Sequence, residues 1–267
     1  MPNTHQLGPK RPFTLQTLPA DGKQYHPDRD TAEPEFKTLR TEFIEWQRRL
    51  YAEGEQKLLI VLQAMDAGGK DGTIRNILKG VNPQGVRVES FKVPSKDELA
   101  HDFLWRIHKV VPAKGMMSVF NRSHYEDVLV VRVHDIVPEA VWRPRFEQIN
   151  QFEKLLHNTD TRILKFYLHI SEDEQKKRFQ ARLDEADKNW KFSLEDLEKR
   201  KFWSDYMTAY EEMLQQCSTT WAPWHIIPAN QKWYRNLAII RTIVHTLREM
   251  NPQYPEAEKH LDQVVIE

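Results

Sequence analysis

Asp66, Gly68, Gly69 and Lys70 lie between an apolar run and a stretch of helical character, LLIVLQ-AMDAGG-KDGTIRNIL. A glycine-bearing turn that opens a helix presents free amide N–H groups and the positive end of the helix dipole to an anion. Gly68 and Gly69 let the backbone come close to that anion, and Lys70 adds a mobile point charge. The order departs from G-x-x-x-x-G-K-[ST] at two places, with Ala64 for the first glycine and Asp71 for the Ser/Thr. The chemistry expected is phosphate binding by Ala67, Gly68, Gly69, Lys70, Asp71, Gly72 and Thr73. The plainer alternative is a glycine turn with an exposed lysine. In either case Lys70 is expected to be an exposed loop side chain that carries little packing. Asp66 beside bound phosphates would be repulsive unless a cation lies between them, which suggests a Mg²⁺ bridge; otherwise it hydrogen-bonds loop amides. Asp71 serves either the helix dipole or catalysis.

A second chemical segment is VFNRSHYEDVLVVR, 119–132, which follows a short apolar run. Phosphoryl-transfer enzymes commonly hold Mg²⁺ on an acidic residue at such a strand end. Here the position is Asn121, with Arg122 next to it. At the carboxyl edge of a parallel sheet, Arg122 would face the same crevice as the phosphate loop and clamp a phosphate; as a bland surface arginine it would cap a helix. His124 reads as a packing or hydrogen-bonding residue, not a metal ligand. Residues 171–203 hold nine Lys/Arg and nine Asp/Glu, so their net charge predicts no affinity for a polyanion. Arg178 and Arg182, however, share one helix face, and Lys188 and Lys191 flank Trp190. That pattern suits a helical lid closing over a phosphate loop, or an ordinary salt-bridged surface.

Five apolar runs position these groups: 57–63, 86–91, 116–120, 162–170 and 224–228. Helical stretches are predicted at 36–50, 70–80, 96–109, 123–134, 138–157, 171–183, 193–216 and 234–250. Ser171 with Glu174 reads as a capping box, and Ser193 with Asp196 as a second cap. Strands alternating with helices argue for an α/β fold with a five-stranded parallel sheet flanked by helices. The first thirty residues read as an arm over the surface or a partly disordered segment. The tail after Pro252 is polar until VVI at 264–266. No break divides the core, so 1–267 is expected to be one domain: arm and helix 1–54, core 55–250 with a lid about 171–203, tail 251–267. Thirty-nine basic and thirty-nine acidic residues cancel, so polyanion affinity must come from local arrangement. The single Cys217 excludes an intramolecular disulfide framework and multi-cysteine zinc. With no apolar start and no long apolar stretch, a soluble, cytoplasmic chain is expected, with no membrane or nucleic-acid partner.

The segments MDAGGKDG (65–72), FNRSHYED (120–127), KKRFQARL (176–183), WKFSLEDLE (190–198) and APWHIIPANQKWYRN (222–236) together resemble the polyphosphate kinase 2 family, from about residue 33 to 250. The resemblance implies a P-loop kinase fold similar to thymidylate kinase, with a helical lid and Mg²⁺-dependent phosphate transfer between inorganic polyphosphate and nucleotides. Asp66 and Lys70 match the loop aspartate and lysine, and Arg122 the arginine after the third strand. Arg178, Arg182, Lys191 and Asp196 match lid positions. Catalytic roles are expected for Asp66, Lys70, Arg122 and Arg178, and phosphate contacts for Arg182 and Lys191 as well. The acceptor nucleotide is expected at Arg106, Asn121, Arg122, Glu126 and Asp127, and metal at Asp66, Asp127 and Asp196. Many members read F-D-R-S-W-Y-N-R where this chain has FNRSHYED. The variant looks like the class III branch, which accepts AMP as well as ADP, and Glu126 and Asp127 are expected to govern that choice. AMP, ADP and ATP are the nucleotide partners expected, in a homo-oligomer. The rival readings are an ATP-dependent nucleoside monophosphate kinase and a non-catalytic polyphosphate-binding protein.

Overall fold

Five strands pair in parallel in the order β2-β3-β1-β4-β5: β1 Lys57–Gln63, β2 Val86–Ser90, β3 Met117–Asn121, β4 Thr161–His169 and β5 Trp224–Pro228. The computed structural model describes residues 4–9, 12–259 and 266. The helices are α1 Arg29–Glu53, α2 Lys70–Ile77, α3 Lys96–Leu99, α4 Trp105–His108, α5 Glu126–Val133, α6 Glu139–Trp142, α7 Arg145–Asn158, α8 Glu172–Asp184, α9 Leu194–Arg200, α10 Trp203–Cys217 and α11 Lys232–Met250. β1 is the central strand, and its side chains alternate between two apolar layers. Leu58, Ile60 and Leu62 pack with α1, α2 and α11; Leu59 and Val61 pack with α5, α7 and α10. Burial on both faces explains why β1, β3, β4 and β5 read as apolar runs, whereas the edge strand β2 is mostly exposed and alternates. No described helix is long and apolar enough to cross a membrane.

One polar residue in this core is informative. Lys165, in the middle of β4, is fully buried. Its three donors are taken by Tyr125 Oη (2.8 Å), Glu153 Oε2 (2.5 Å) and the Cys217 carbonyl (2.7 Å). A buried ion pair is tolerated when its hydrogen bonds are complete, and this one anchors the turn after β3 from below. Tyr125 and His124 both reach Glu153 Oε1, at 2.7 and 3.1 Å.

The structure corrects several element bounds. α1 begins at Arg29, seven residues before the predicted start at 36. The Asp28 side chain accepts from Thr31 N at 2.7 Å, and Pro34 is tolerated within the first turns. Polar composition hid that extension. The stretch 96–109 is two single turns, interrupted where Asp102 Oδ1 accepts from Leu104 N. The 138–157 helix breaks at Pro144, which has no N–H to donate to a helical carbonyl. The 193–216 helix breaks between Arg200 and Trp203: α9 buries no residue, whereas α10 buries seven. The break therefore separates a segment packed on α8 from one packed in the core. Ser171 Oγ caps Glu174 N (3.2 Å), but the Glu174 side chain goes to Arg178 and leaves the capping box half made. Ser193 Oγ accepts from Glu195 N, not from Asp196.

The described part of the N-terminal arm lies along β5. Ile226 N donates to His5 O (2.9 Å) and Leu7 N to Trp224 O (2.8 Å), so a free sheet edge is covered. Leu7 and Leu15 are buried there. Of the apolar VVI at 264–266, Val264 and Val265 lie outside the described residues.

Burial pushes His5 and His225 down, each to about 4. Both are held neutral in the fold, whereas the unfolded chain takes up their protons near 6.5. Their contribution to stability is present above 6.5 and is lost as pH falls from there through 4. The melting temperature should fall between pH 7.5 and 5.0, and His225→Gln should lessen that fall by at least about 3 °C. An unchanged slope would show that His225 is protonated in the native state.

Candidate active site

The β1 end and the β3 end are brought together by parallel pairing, with Leu62 opposite Asn121. The phosphate loop leaves β1 and the Asn121–Tyr125 turn leaves β3. Both open on the carboxyl edge, where strand order reverses about β1, the usual crevice of such sheets. Gly69 stands at φ +102°, a conformation that favours glycine, and α2 starts there with no side-chain cap on its amides. Ala67 (φ +59°) and Arg122 (φ +62°) also take left-handed backbone. For a non-glycine residue that costs about 1–2 kcal/mol. At Arg122 the strain is held by its N–H on Leu62 O (3.1 Å) and by its side chain.

That side chain closes the site. Arg122 Nη2 meets Asp66 Oδ1 at 2.6 Å and Nη1 meets Glu126 Oε2 at 3.4 Å. Burial works against ionisation of Asp66, but the Arg122 guanidinium and then Lys70 offset it and hold the carboxyl below its usual range. Burial also opposes the charge on Arg122, yet Glu126 and Asp66 raise its pKa. Asp66 Oδ2 accepts no hydrogen bond among the described residues. Gln175 on α8 fixes the Asp66 backbone, donating to its carbonyl at 2.9 Å.

Lys70 is buried, contrary to the exposed side chain expected. It folds under the loop and donates to Ala64 O at 2.8 Å. Burial and then the Arg122 charge push it down to about 8. Asp71 is exposed and accepts from Asn121 Nδ2 at 2.6 Å. An aspartate at 121 would put two carboxylates at that distance, so the amide removes a repulsion. Thr73 is fully buried, and its hydroxyl has no hydrogen-bond partner among the described residues.

Arg178 is placed differently from the phosphate clamp expected. It donates to the carbonyls of Ala67 (2.9 Å), Gly68 (3.0 Å), Ala229 (2.6 Å) and Asn230 (3.1 Å), and to Glu174 Oε1 (2.8 Å). A guanidinium has five donors; here each has an acceptor, and the residue ties the phosphate loop to the turn after β5. Arg182 and Lys191 close the α8–α9 hairpin on itself, with Arg182 on Lys191 O (3.0 Å) and Asp196 Oδ2 (3.1 Å). Burial and then the Asp66 charge raise the Asp196 pKa, so the hairpin lies within the field of the phosphate loop. Trp190 and Leu194 on it are exposed.

Glu126 and Asp127 occupy the first turn of α5, where carboxylates complement the helix dipole. Arg145 Nη1 holds Asp127 Oδ1 at 3.2 Å and Arg106 Nη2 lies 3.9 Å from Oδ2. Burial pushes Asp127 up to about 6 against both arginines. Arg106 also borders a groove of about 490 Å³ along β2 and α4, with Lys92, Trp105 and Lys109. His124 is buried on Glu153. Sequence reasoning passed over Gln175, Lys199 beside Asp66, and Arg235. Arg235 stood inside the quoted WYRN segment but carried no assignment, because only the packing of α11 on α2 brings it to the phosphate loop.

The family model described as Polyphosphate kinase 2 (PPK2) matches residues 26–255. The chain belongs to the polyphosphate kinase 2 family. A Meiothermus ruber protein named AMP/ADP-polyphosphate phosphotransferase is 49% identical over 98% of this chain and 99% of its own. An ADP-polyphosphate phosphotransferase of Rhodopseudomonas palustris is 46% identical, covering 85% and 84%. The crystal structure of polyphosphate kinase 2 from Arthrobacter aurescens TC1 superposes with a TM-score of 0.94 at 40% identity, covering 98% of this chain and 94% of that one. The P-loop kinase fold expected from sequence is thus the fold of a polyphosphate kinase 2, and this member of the family is a phosphotransferase.

Lys70→Met keeps the bulk of a buried side chain and removes its charge. Turnover should fall at least about 10²-fold, the scale of one lost oxyanion-type donor. In the parent, the ammonium is lost as pH rises through about 8, so affinity for tripolyphosphate should weaken there. That weakening should be absent in the variant, as calorimetry at pH 7 and 9 would show. Near-normal turnover in the folded variant would remove Lys70 from the site.

Proposed function

We propose that this chain transfers the terminal phosphoryl group of inorganic polyphosphate to AMP and to ADP, giving ADP and ATP. The observation that carries the reading is the ion pair of Arg122 with Asp66, set against the phosphate loop with Lys70 beneath. It brings a donor-phosphate cradle and an acceptor-side guanidinium into one crevice. The likeness to the Meiothermus ruber enzyme, named for AMP and ADP, supports both acceptors.

A phosphate oxygen of the acceptor attacks the end phosphorus in line. The new P–O bond forms as the bridging P–O bond breaks, and polyphosphate leaves one unit shorter. The nucleophile is already anionic, so no strong general base is needed. Positioning and charge do the work. Loop amides and Lys70 hold the moving phosphoryl, and Arg122 spans donor and acceptor. Arg106, Asn121, Glu126 and Asp127 shape the acceptor side.

Mg²⁺ favours one or two carboxylates with phosphate oxygens and water. Asp66, ionised and with Oδ2 open, fits such an ion arriving on the substrate phosphates. Asp127 and Asp196, like Asp66, are each engaged by a guanidinium, but Asp66 alone stands within the phosphate loop, so it carries the fit. Bound there, Mg²⁺ supplies neutralisation of phosphate charge. The α8–α9 hairpin acts as a lid, with Arg182, Lys191 and exposed Trp190 on its moving part. The reading includes a cytoplasmic setting and a homo-oligomer, for which the outer edge of β2, with Val88 and Val93 exposed, offers apolar surface.

AMP incubated with long-chain polyphosphate and Mg²⁺, with no ATP present, should yield ADP first and ATP after it, and EDTA should stop both. Formation of ADP only when ATP is supplied would contradict the donor. In Glu126→Gln and Asp127→Asn the ratio of kcat/KM for AMP to that for ADP should shift more than about twofold, or roughly 0.5 kcal/mol of discrimination. A constant ratio would leave these carboxylates to the helix.

A further inference from the structure

Arg235, in the first turn of α11, is 2% exposed. Among the described residues no carboxylate lies within ion-pair distance of it, and the only hydrogen bonds of its guanidinium go to the side chain of its neighbour Asn236, at 2.9 and 3.2 Å. An unpaired buried guanidinium is costly, and proteins keep buried charges with partners. The surroundings make matters worse. Burial and then the nearby Arg178 depress the Arg235 pKa to about 9, and burial, then Arg178, Lys188 and Arg235, depress Lys232. The α2 and α11 N-termini, neither with a side-chain cap, add two positive dipole ends.

The position of the charge says what balances it. A Cβ built on Gly69 would lie 2.0 Å from Arg235 Nη1, and one on Gly72 3.6 Å from Nη2. The guanidinium therefore fills the space beside the phosphate loop that a side chain at 69 would need. Arg178 stitches the same loop to the Ala229–Asn230 turn that leads into α11. Arg122, Glu126 and Asp127 approach the loop from β3 and α5; Arg235, Lys232 and Arg178 come from α8 and α11. The first flank mixes signs, whereas on the second the only carboxylate partner among the described residues is Glu174, on Arg178. A mixed flank suits a nucleotide phosphate with its metal. A nearly all-cationic flank suits a longer anion.

We propose that Arg235 is a phosphate-binding residue beside the phosphate loop, and that its missing counter-charge is the donor phosphate chain held between Lys70 and the Lys232–Arg235 flank. This rests on polyphosphate being the donor, and it assigns the donor to the α11 side of the loop and the acceptor to the α5 side. The substrate thus supplies the anion that the fold omits. Gly69 is then fixed twice, by its backbone angle and by the room the guanidinium takes.

The test uses the full chain with Arg235→Gln, neutral and still able to bond Asn236, and Arg235→Lys, which keeps the charge. Tripolyphosphate binding is measured by calorimetry without nucleotide, and KM for polyphosphate and for AMP by initial rates. Arg235→Gln should weaken tripolyphosphate at least tenfold and raise KM for polyphosphate similarly, with KM for AMP within twofold. Arg235→Lys should recover most of the loss. Without anion, Arg235→Gln should melt no lower than the parent, while the rise in melting temperature on adding tripolyphosphate should shrink. Unchanged tripolyphosphate affinity, equal damage by Gln and Lys, or equal loss toward AMP would overturn the proposal. Should Arg235→Gln not fold, Arg235→Lys alone decides: near-parent binding supports a role for charge, and a tenfold loss refutes it. If the parent binds tripolyphosphate but phosphorylates AMP only from ATP, the donor reading fails, while the binding comparison still judges Arg235.

Discussion

The carboxylate of Asp66 and the guanidinium of Arg122 meet at 2.6 Å across the ends of two neighbouring parallel strands. Neither group could keep this place alone. Asp66 sits in a loop of amide donors, and Arg122 sits on strained left-handed backbone. The pairing of β1 with β3 sets the distance, and the buried Lys165–Glu153 pair under Tyr125 fixes the turn that carries Arg122. Removing either member of such a pair leaves a charge with its partner gone, at greater cost than the pair's own strength.

Around that contact, charges are sorted by side. On the α5 side carboxylates and arginines alternate: Glu126 with Arg122, Asp127 with Arg145 and Arg106. On the α11 side the described cations are nearly uncompensated. Whole-chain neutrality conceals this sorting, which is the local arrangement that a polyanion requires. Arg178 belongs to the supporting structure of the loop. Its five donors are spent on carbonyls and Glu174, so it orders the cradle from outside.

Strand positions were legible within a residue: β1, β3, β4 and β5 are buried on both faces and read as apolar runs, whereas β2, mostly exposed at the sheet edge, shows in the alternation of VRVES. The phosphate loop was legible because its chemistry is local: glycine, glycine and lysine between strand and helix. Arg122 could be placed because a strand end needs no long-range packing to be located. Lys70 was misjudged as exposed, since nothing in the sequence shows that Ala64 O turns back to receive it. Arg235 was invisible for a related reason, as it reaches Gly69 across more than 160 residues. The break between α9 and α10 was hidden too, because both halves are good helix and only their different packing divides them.

The most direct test is a double-mutant cycle on Asp66→Asn and Arg122→Gln, read as kcat/KM for AMP with polyphosphate. If the two side chains act as one unit, each single change should cost about 10²-fold or more. The double variant should then be little worse than the poorer single one, a coupling above about 1 kcal/mol. Losses that simply multiply, within about 0.5 kcal/mol of additivity, would contradict the account.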